Sequence, residues 1–159
     1  MKIRTDFVTN SSSSSFIIAY KDNELEDSIS RQIFDMCFYE DYDSEQKNFF
    51  ISRVIDDIRE NALTKEELIS ALKEEFEHEG WYAFFRKTNY DFDRMESPEK
   101  DEFIEKYTTE KIAELEELLK DKSSFAKISY SDNDGTLFSC LEHEITPNLV
   151  ECLRRFSHH

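Results

Sequence analysis

Glycine and proline are nearly missing from this chain, with 2 of each among 159 residues. Gly80 and Gly135 sit where a helix end and a turn call for them. Glycine-rich phosphate cradles, dinucleotide fingerprints and nucleophile elbows are therefore excluded. Cysteine is also scarce: Cys37, Cys140 and Cys152 are an odd number, lack C-x-x-C spacing and stand among apolar residues. Thiols so placed behave as small hydrophobes in a reducing compartment, and the expected location is cytoplasmic. No segment approaches the roughly 18 consecutive apolar residues that cross a bilayer, and the start lacks the basic, apolar and cleavage regions of an export signal. Blocks of lysine and arginine are missing too. With a formal net charge of −16, direct binding to nucleic acid or to an anionic membrane surface is not expected.

What is present is acid and aromatic. Residues 22–46 hold nine acids against Arg31 alone, residues 65–79 six against two bases, and residues 99–121 nine against four. The two ends are slightly positive. With 14 Phe and 7 Tyr, the apolar material comes in large pieces, and 159 residues suit one domain, residues 1–159, with its own core.

Periodicity separates the ends from the middle. Phe16-Ile17-Ile18-Ala19-Tyr20 reads as a short buried strand. Helical spacing follows over residues 23–39, through Leu25, Ile29 and Ile33, and again from Ser44 through Phe50, Val54 and Ile58. Thr64 with Glu67 forms a capping box for a helix expected to stop at Gly80, before the aromatic knot 81–85, which is either core or a partner surface. Ser97-Pro98 opens another helix, with a break expected at Thr108-Thr109. Residues 125–143 read as a hairpin turning at Asp134-Gly135, which pairs Ile128 with Leu141 and points His143 to the core side. Residues 149–156 form a short helix, a last strand, or both in turn. The expected fold class is α+β: a small, mostly antiparallel sheet from both chain ends, packed by acidic amphipathic helices from the middle.

Few residues carry chemistry. Asp132-Asn133-Asp134-Gly135 is a poor calcium loop, because Leu141 stands where the bidentate Glu belongs. His143, His158 and His159 lie near the C-terminal end with Glu142 and Glu144 beside the first, a mixture suited to a divalent metal. The alternative is a satisfied core histidine and an unstructured tail. Ser11, Ser12, Ser13, Ser14 and Ser15 supply hydroxyls and N–H groups for an oxyanion, or a nucleophile, and Asp132, Asp134 and Glu142 are candidate polar partners. Arg154 and Arg155 are the bases an anion site would use.

The opening string Thr5-Asp6-Phe7-Val8-Thr9-Asn10-Ser11-Ser12-Ser13-Ser14-Ser15-Phe16 resembles a leader found on uncharacterised proteins of Firmicutes and their phages. Residues 131–135, Leu141-Glu142-His143 and Ser157-His158-His159 are similar to the C-terminal part of some of them. The acidic middle shares nothing with them. The resemblance implies a lineage and no activity.

Two functions of different class follow. One is a non-catalytic acidic interaction protein, an inhibitor or nucleic-acid mimic that binds a basic protein partner. The other is a metal- or phosphate-handling site, of hydrolase type, made of the serine run and the C-terminal histidines.

Overall fold

A computed structural model describes residues 13–36 and 42–158. Four antiparallel strands form one sheet in the order β2-β3-β1-β4: β1 (Ser13–Tyr20), β2 (Ala62–Leu63), β3 (Ser124–Ser131) and β4 (Cys152–His158). The fold is α+β, with the sheet built from both ends of the chain, as its pattern predicts. β1 is central, and its run Phe16–Ala19 is wholly buried because both faces are covered. Even-numbered Phe16, Ile18 and Tyr20 join one core with α1 (Leu25–Asp35) and α2 (Ser44–Glu60). Odd-numbered Ile17 and Ala19 join a second core with α3 (Lys65–Lys87) and α4 (Pro98–Leu119). The result is a helical layer on each side of the sheet.

The capping boxes hold. Thr64 accepts from the Glu67 N–H at 3.2 Å while the Glu67 carboxylate accepts from the Thr64 N–H at 2.8 Å. Asp43 and Gln46 do the same for α2. Two helices run further than their punctuation predicts. α3 passes through Gly80, where a Cβ would lie 3.2 Å from a Tyr107 ring carbon and 3.5 Å from the Ile104 Cα. Gly80 thus lets α3 and α4 approach and does not end the helix. The helix ends instead at Thr88, followed by Asn89 in the left-handed conformation at φ 55°, with the Tyr90 N–H closing back on the Phe85 carbonyl at 2.9 Å. α4 is unbroken at Thr108-Thr109.

The expected hairpin over residues 125–143 is wrong in its second half. After β3 the chain makes a 3₁₀ turn, Asp132–Asp134, then α5 (Thr136–Cys140) and a π-helical turn, Leu141–Ile145. Gly135 has φ 111° and ψ 174°, outside the conformation of a type I′ turn. The burial shows why helix wins: Cys140, Leu141 and Ile145 enter the first core together, whereas a strand would bury alternate residues. Ile128 therefore pairs with Phe16 and not Leu141. Glu142 is fully buried and His143 is exposed, the reverse of the expected orientation.

β4 closes the other edge with a bulge. Ile17 pairs with Arg154, but the next residue, Ile18, pairs with Cys152, leaving Leu153 as the extra residue. Cys152 packs on the first core and Leu153 on the second, as does Phe156. Without the bulge, strict alternation would exchange the faces of Arg154 and Arg155.

Candidate functional site

The sheet divides the predicted polar residues into two sets. On the first face Ser14, wholly buried, donates its hydroxyl proton to Glu142 Oε1 at 2.8 Å. The same hydroxyl accepts from Arg155 Nε at 3.1 Å and Nη2 at 3.0 Å. Arg155 Nη2 is 3.6 Å from Glu142 Oε1 and 3.4 Å from His143 Nδ1, and the guanidinium lies 5.8 Å from the centre of the Phe16 ring. Glu142 comes from the π-helical turn, and Arg155 reaches this face because of the β4 bulge. Ser14 spends its proton and its lone pairs within an ion pair, the work of a bridge and not of a nucleophile.

Close by, Asp57 is almost fully buried and accepts from the Tyr130 hydroxyl and from Arg53 Nε, both at 2.9 Å. Burial first, then the Asp57 charge and hydrogen bond, push the Tyr130 phenol far above its ordinary value. A raised acid favours the neutral form in the fold. Its contribution is whole below the ordinary tyrosine value of about 10 and is lost as pH rises beyond it. Urea unfolding at pH 8 and again near pH 11 is expected to show a drop in stability that Tyr130→Phe makes smaller. An equal drop in both proteins would assign the alkaline loss to other groups.

On the second face Ser15 Oγ is 3.0 Å from Ser129 Oγ and 3.1 Å from His158 Nε2. His158 Nε2 also lies 3.7 Å from Glu75 Oε1, which Lys127 Nζ meets at 2.7 Å. This looks like a Ser-His-Glu line, but in a working triad the hydroxyl and the carboxylate engage different ring nitrogens. Here both approach Nε2. Next to it Arg154 Nη2 reaches both Glu79 oxygens, at 3.0 and 3.1 Å, and Tyr107 donates to Glu79 at 3.3 Å.

The structure therefore brings Ser14, Glu142 and His143 together, and separately Ser15 with His158. His143 and His158 are on opposite faces of the sheet. Ser13 begins β1, Asp132 is in the 3₁₀ turn, and Asp134 is exposed there. Ser11, Ser12 and His159 lie outside the described residues, as does Cys37. Among the described residues no group of three or more His, Cys, Asp or Glu is arranged to hold a metal ion. Sequence reasoning missed Glu75 and Lys127, whose only signal is a helix and a strand of opposite charge.

The larger surface feature belongs to α3 and α4. Between them runs a groove of about 900 Å³. Trp81, Ile104 and Ile112 supply apolar lining, and Glu77, Asp101, Glu105 and Glu116 acid. Lys73 and Lys100 also line it, but they pair with Glu77 at 3.8 Å and Asp101 at 3.1 Å. Lys106, Lys111 and Lys120 likewise pair with Glu110, Glu114 and Glu117. Glu102, Glu105 and Glu116 are the exposed carboxylates of α4 without an ion-pair partner among the described residues. Beyond Trp81 the aromatic residues continue outward, Trp81 to Phe85 at 5.3 Å and Phe85 to Phe92 at 4.7 Å, with Phe92 73% exposed. The aromatic knot is thus both core, through fully buried Phe84, and surface.

No protein-family model, curated protein or solved structure matches this chain. Function rests on geometry. Among the described residues, no helix is long and apolar enough to cross a membrane.

Proposed function

We propose that this chain is a non-catalytic interaction protein that offers an acidic helical layer to a basic protein partner, as an inhibitor or nucleic-acid mimic. The observation that carries this reading is α4: its lysines are taken up by neighbouring acids, leaving Glu102, Glu105 and Glu116 exposed, the last two on the groove. Carboxylates held on a rigid helix attract a phosphate-binding surface over long range and suppress acidic competitors. The serines favour no catalytic role over this one, since Ser14 is fully buried within an ion pair and Ser15 is nearly so. Cys140 and Cys152 are free thiols, in keeping with work in the cytoplasm. The likeness of the first residues to Firmicutes and phage proteins supports a setting in which host and phage compete for nucleic-acid enzymes.

The test is capture from a bacterial lysate on the immobilised full chain. A basic, nucleic-acid-handling protein is expected to bind, to be displaced by duplex DNA, and to leave as salt shortens the screening length from ~10 Å toward ~3 Å. Recovery of nothing, or of a partner that salt and DNA leave in place, overturns the reading.

A further inference from the structure

We infer that the groove between α3 and α4 is the seat of an amphipathic basic helix belonging to the partner. This deepens the reading of the chain as a ligand of a basic protein and rests on it, but it makes a separate demand: the partner must insert an apolar face as well as bring charge.

Three features define the occupant. The α4 wall of the groove presents two half-buried isoleucines, Ile104 and Ile112, eight residues and about 12 Å apart at the helical rise, with Thr108 between them. A docked helix places its anchors i and i+7 about 10 Å apart, so two successive anchors match those two isoleucines and a third meets Trp81. The second feature is charge. Glu105 and Glu116 flank these isoleucines, are exposed, and have no ion-pair partner among the described residues, so they are open to Lys or Arg on the flanks of an incoming helix. The third is the aromatic surface that extends from Trp81 to Phe92, over which a guanidinium or ammonium group gains further attraction. An acidic helix would meet like charge along the groove. A nucleic acid would meet it too, at every phosphate.

Trp81 is the single tryptophan of the chain and lines the groove, so its fluorescence reports occupancy directly. The probe is a synthetic helix of about sixteen residues, long enough to hold helical structure, with Leu at i, i+3, i+4 and i+7 and Lys or Arg elsewhere. Three controls accompany it: the same composition scrambled so that no apolar face forms, an oligolysine of equal length, and the amphipathic helix with Glu in place of its bases. Titrated into the full chain, the basic amphipathic helix is expected to shift Trp81 emission saturably to shorter wavelength. The scrambled peptide and oligolysine are expected to bind at least tenfold more weakly, and the acidic helix not at all. Glu105→Lys combined with Glu116→Lys is expected to weaken the basic helix at least tenfold; both sites are exposed, and circular dichroism verifies that the fold is kept.

Equal binding of oligolysine with a silent Trp81 overturns the groove while sparing the acidic-surface reading, because charge alone would then suffice. No binding of any peptide, while lysate capture still yields a salt-released basic protein, also overturns the groove and leaves the wider reading standing. A shift that appears on concentrating the chain alone, together with a doubled mass in sedimentation, overturns it in favour of a second copy of this chain as the occupant.

Discussion

Arg155→Met is expected to cost about 2–4 kcal/mol of folding stability, less than the about 3–5 kcal/mol for one member of a fully buried ion pair because the Arg155 side chain is 30% exposed. The cost falls on Glu142, which has no exposure to water and lies 3.6 Å from both Arg155 Nη2 and His143 Nε2. Methionine keeps most of the apolar stem but removes the guanidinium that lies over the Phe16 ring, so the loss combines charge, hydrogen bonding and that cation–π contact. Ser14 suffers as well, losing two donors from its hydroxyl while remaining fully buried. Lysine at 155 keeps the charge but replaces a planar fork by a point donor, and an intermediate loss is expected. The decisive comparison is the double replacement Arg155→Met with Glu142→Leu. Once both charges are gone the desolvation penalty is gone, so the double variant is expected to be more stable than Arg155→Met alone. Chemical denaturation of the parent, Arg155→Met, Glu142→Leu and the double variant provides the cycle. A loss below about 1 kcal/mol for Arg155→Met, no larger than an exposed pair is worth, would show that the bridge is solvated and that Ser14 is freer than its contacts indicate.

Much of the architecture was legible because it depends on period and punctuation. Phe50, Val54 and Ile58 recur every four residues and all are fully buried, and Thr64 with Glu67 caps the helix that follows. The strand of both-face burial at Phe16–Tyr20 reads as a continuous apolar run for the same reason. Punctuation misled where one residue type serves two purposes. Gly80 suits a helix end and also the close approach of two helices; only the neighbouring Ile104 and Tyr107, more than twenty residues away in sequence, decide between them.

The candidate site was less legible than the fold. That a serine from one end and His158 from the other would meet followed from a sheet shared by both ends; Glu142 and His143 reach the network around Ser14 from the π-helical turn and not from the expected hairpin strand. Which serine meets which histidine did not follow, because one extra residue in β4 exchanges the faces of everything beyond it. Ser14 and Ser15 belong to different networks because successive residues of β1 point to opposite faces of the sheet; the bulge decides which β4 side chains meet each of them. The groove was invisible for another reason: Trp81, Ile104 and Ile112 come from two helices, and these half-buried residues come to line one groove only after Gly80 has let those helices approach.

The clearest failure, the second half of the hairpin, yields the other large prediction. Leu137, Ser139, Leu141 and His143 alternate as a strand would, and Asp134-Gly135 supplies the turn. Two apolar alternations are too few to outweigh tertiary burial, and Cys140, Leu141 and Ile145 make a better helical face than residues 137–143 make a strand. Leu141 does not itself distinguish the two forms, since it is inward in either. Its neighbours are what discriminate. Leu141→Ala is expected to cost about 3–5 kcal/mol, the loss of a leucine from a closed core with partial collapse of the space left behind. Ile145→Ala is expected to cost about 2–5 kcal/mol, because the π-helical turn carries Ile145 into the same core. Asn148→Ala, at an exposed position on the same excursion, is expected to change stability by no more than the value of one hydrogen bond, about 1 kcal/mol. Thermal and urea unfolding of the three variants settles the pattern. In a hairpin that ended at His143, Ile145 would follow the strand rather than enter the core, and its truncation would cost little; that result, beside a large loss at Leu141, would restore the strand and remove Glu142 from its buried place against Arg155.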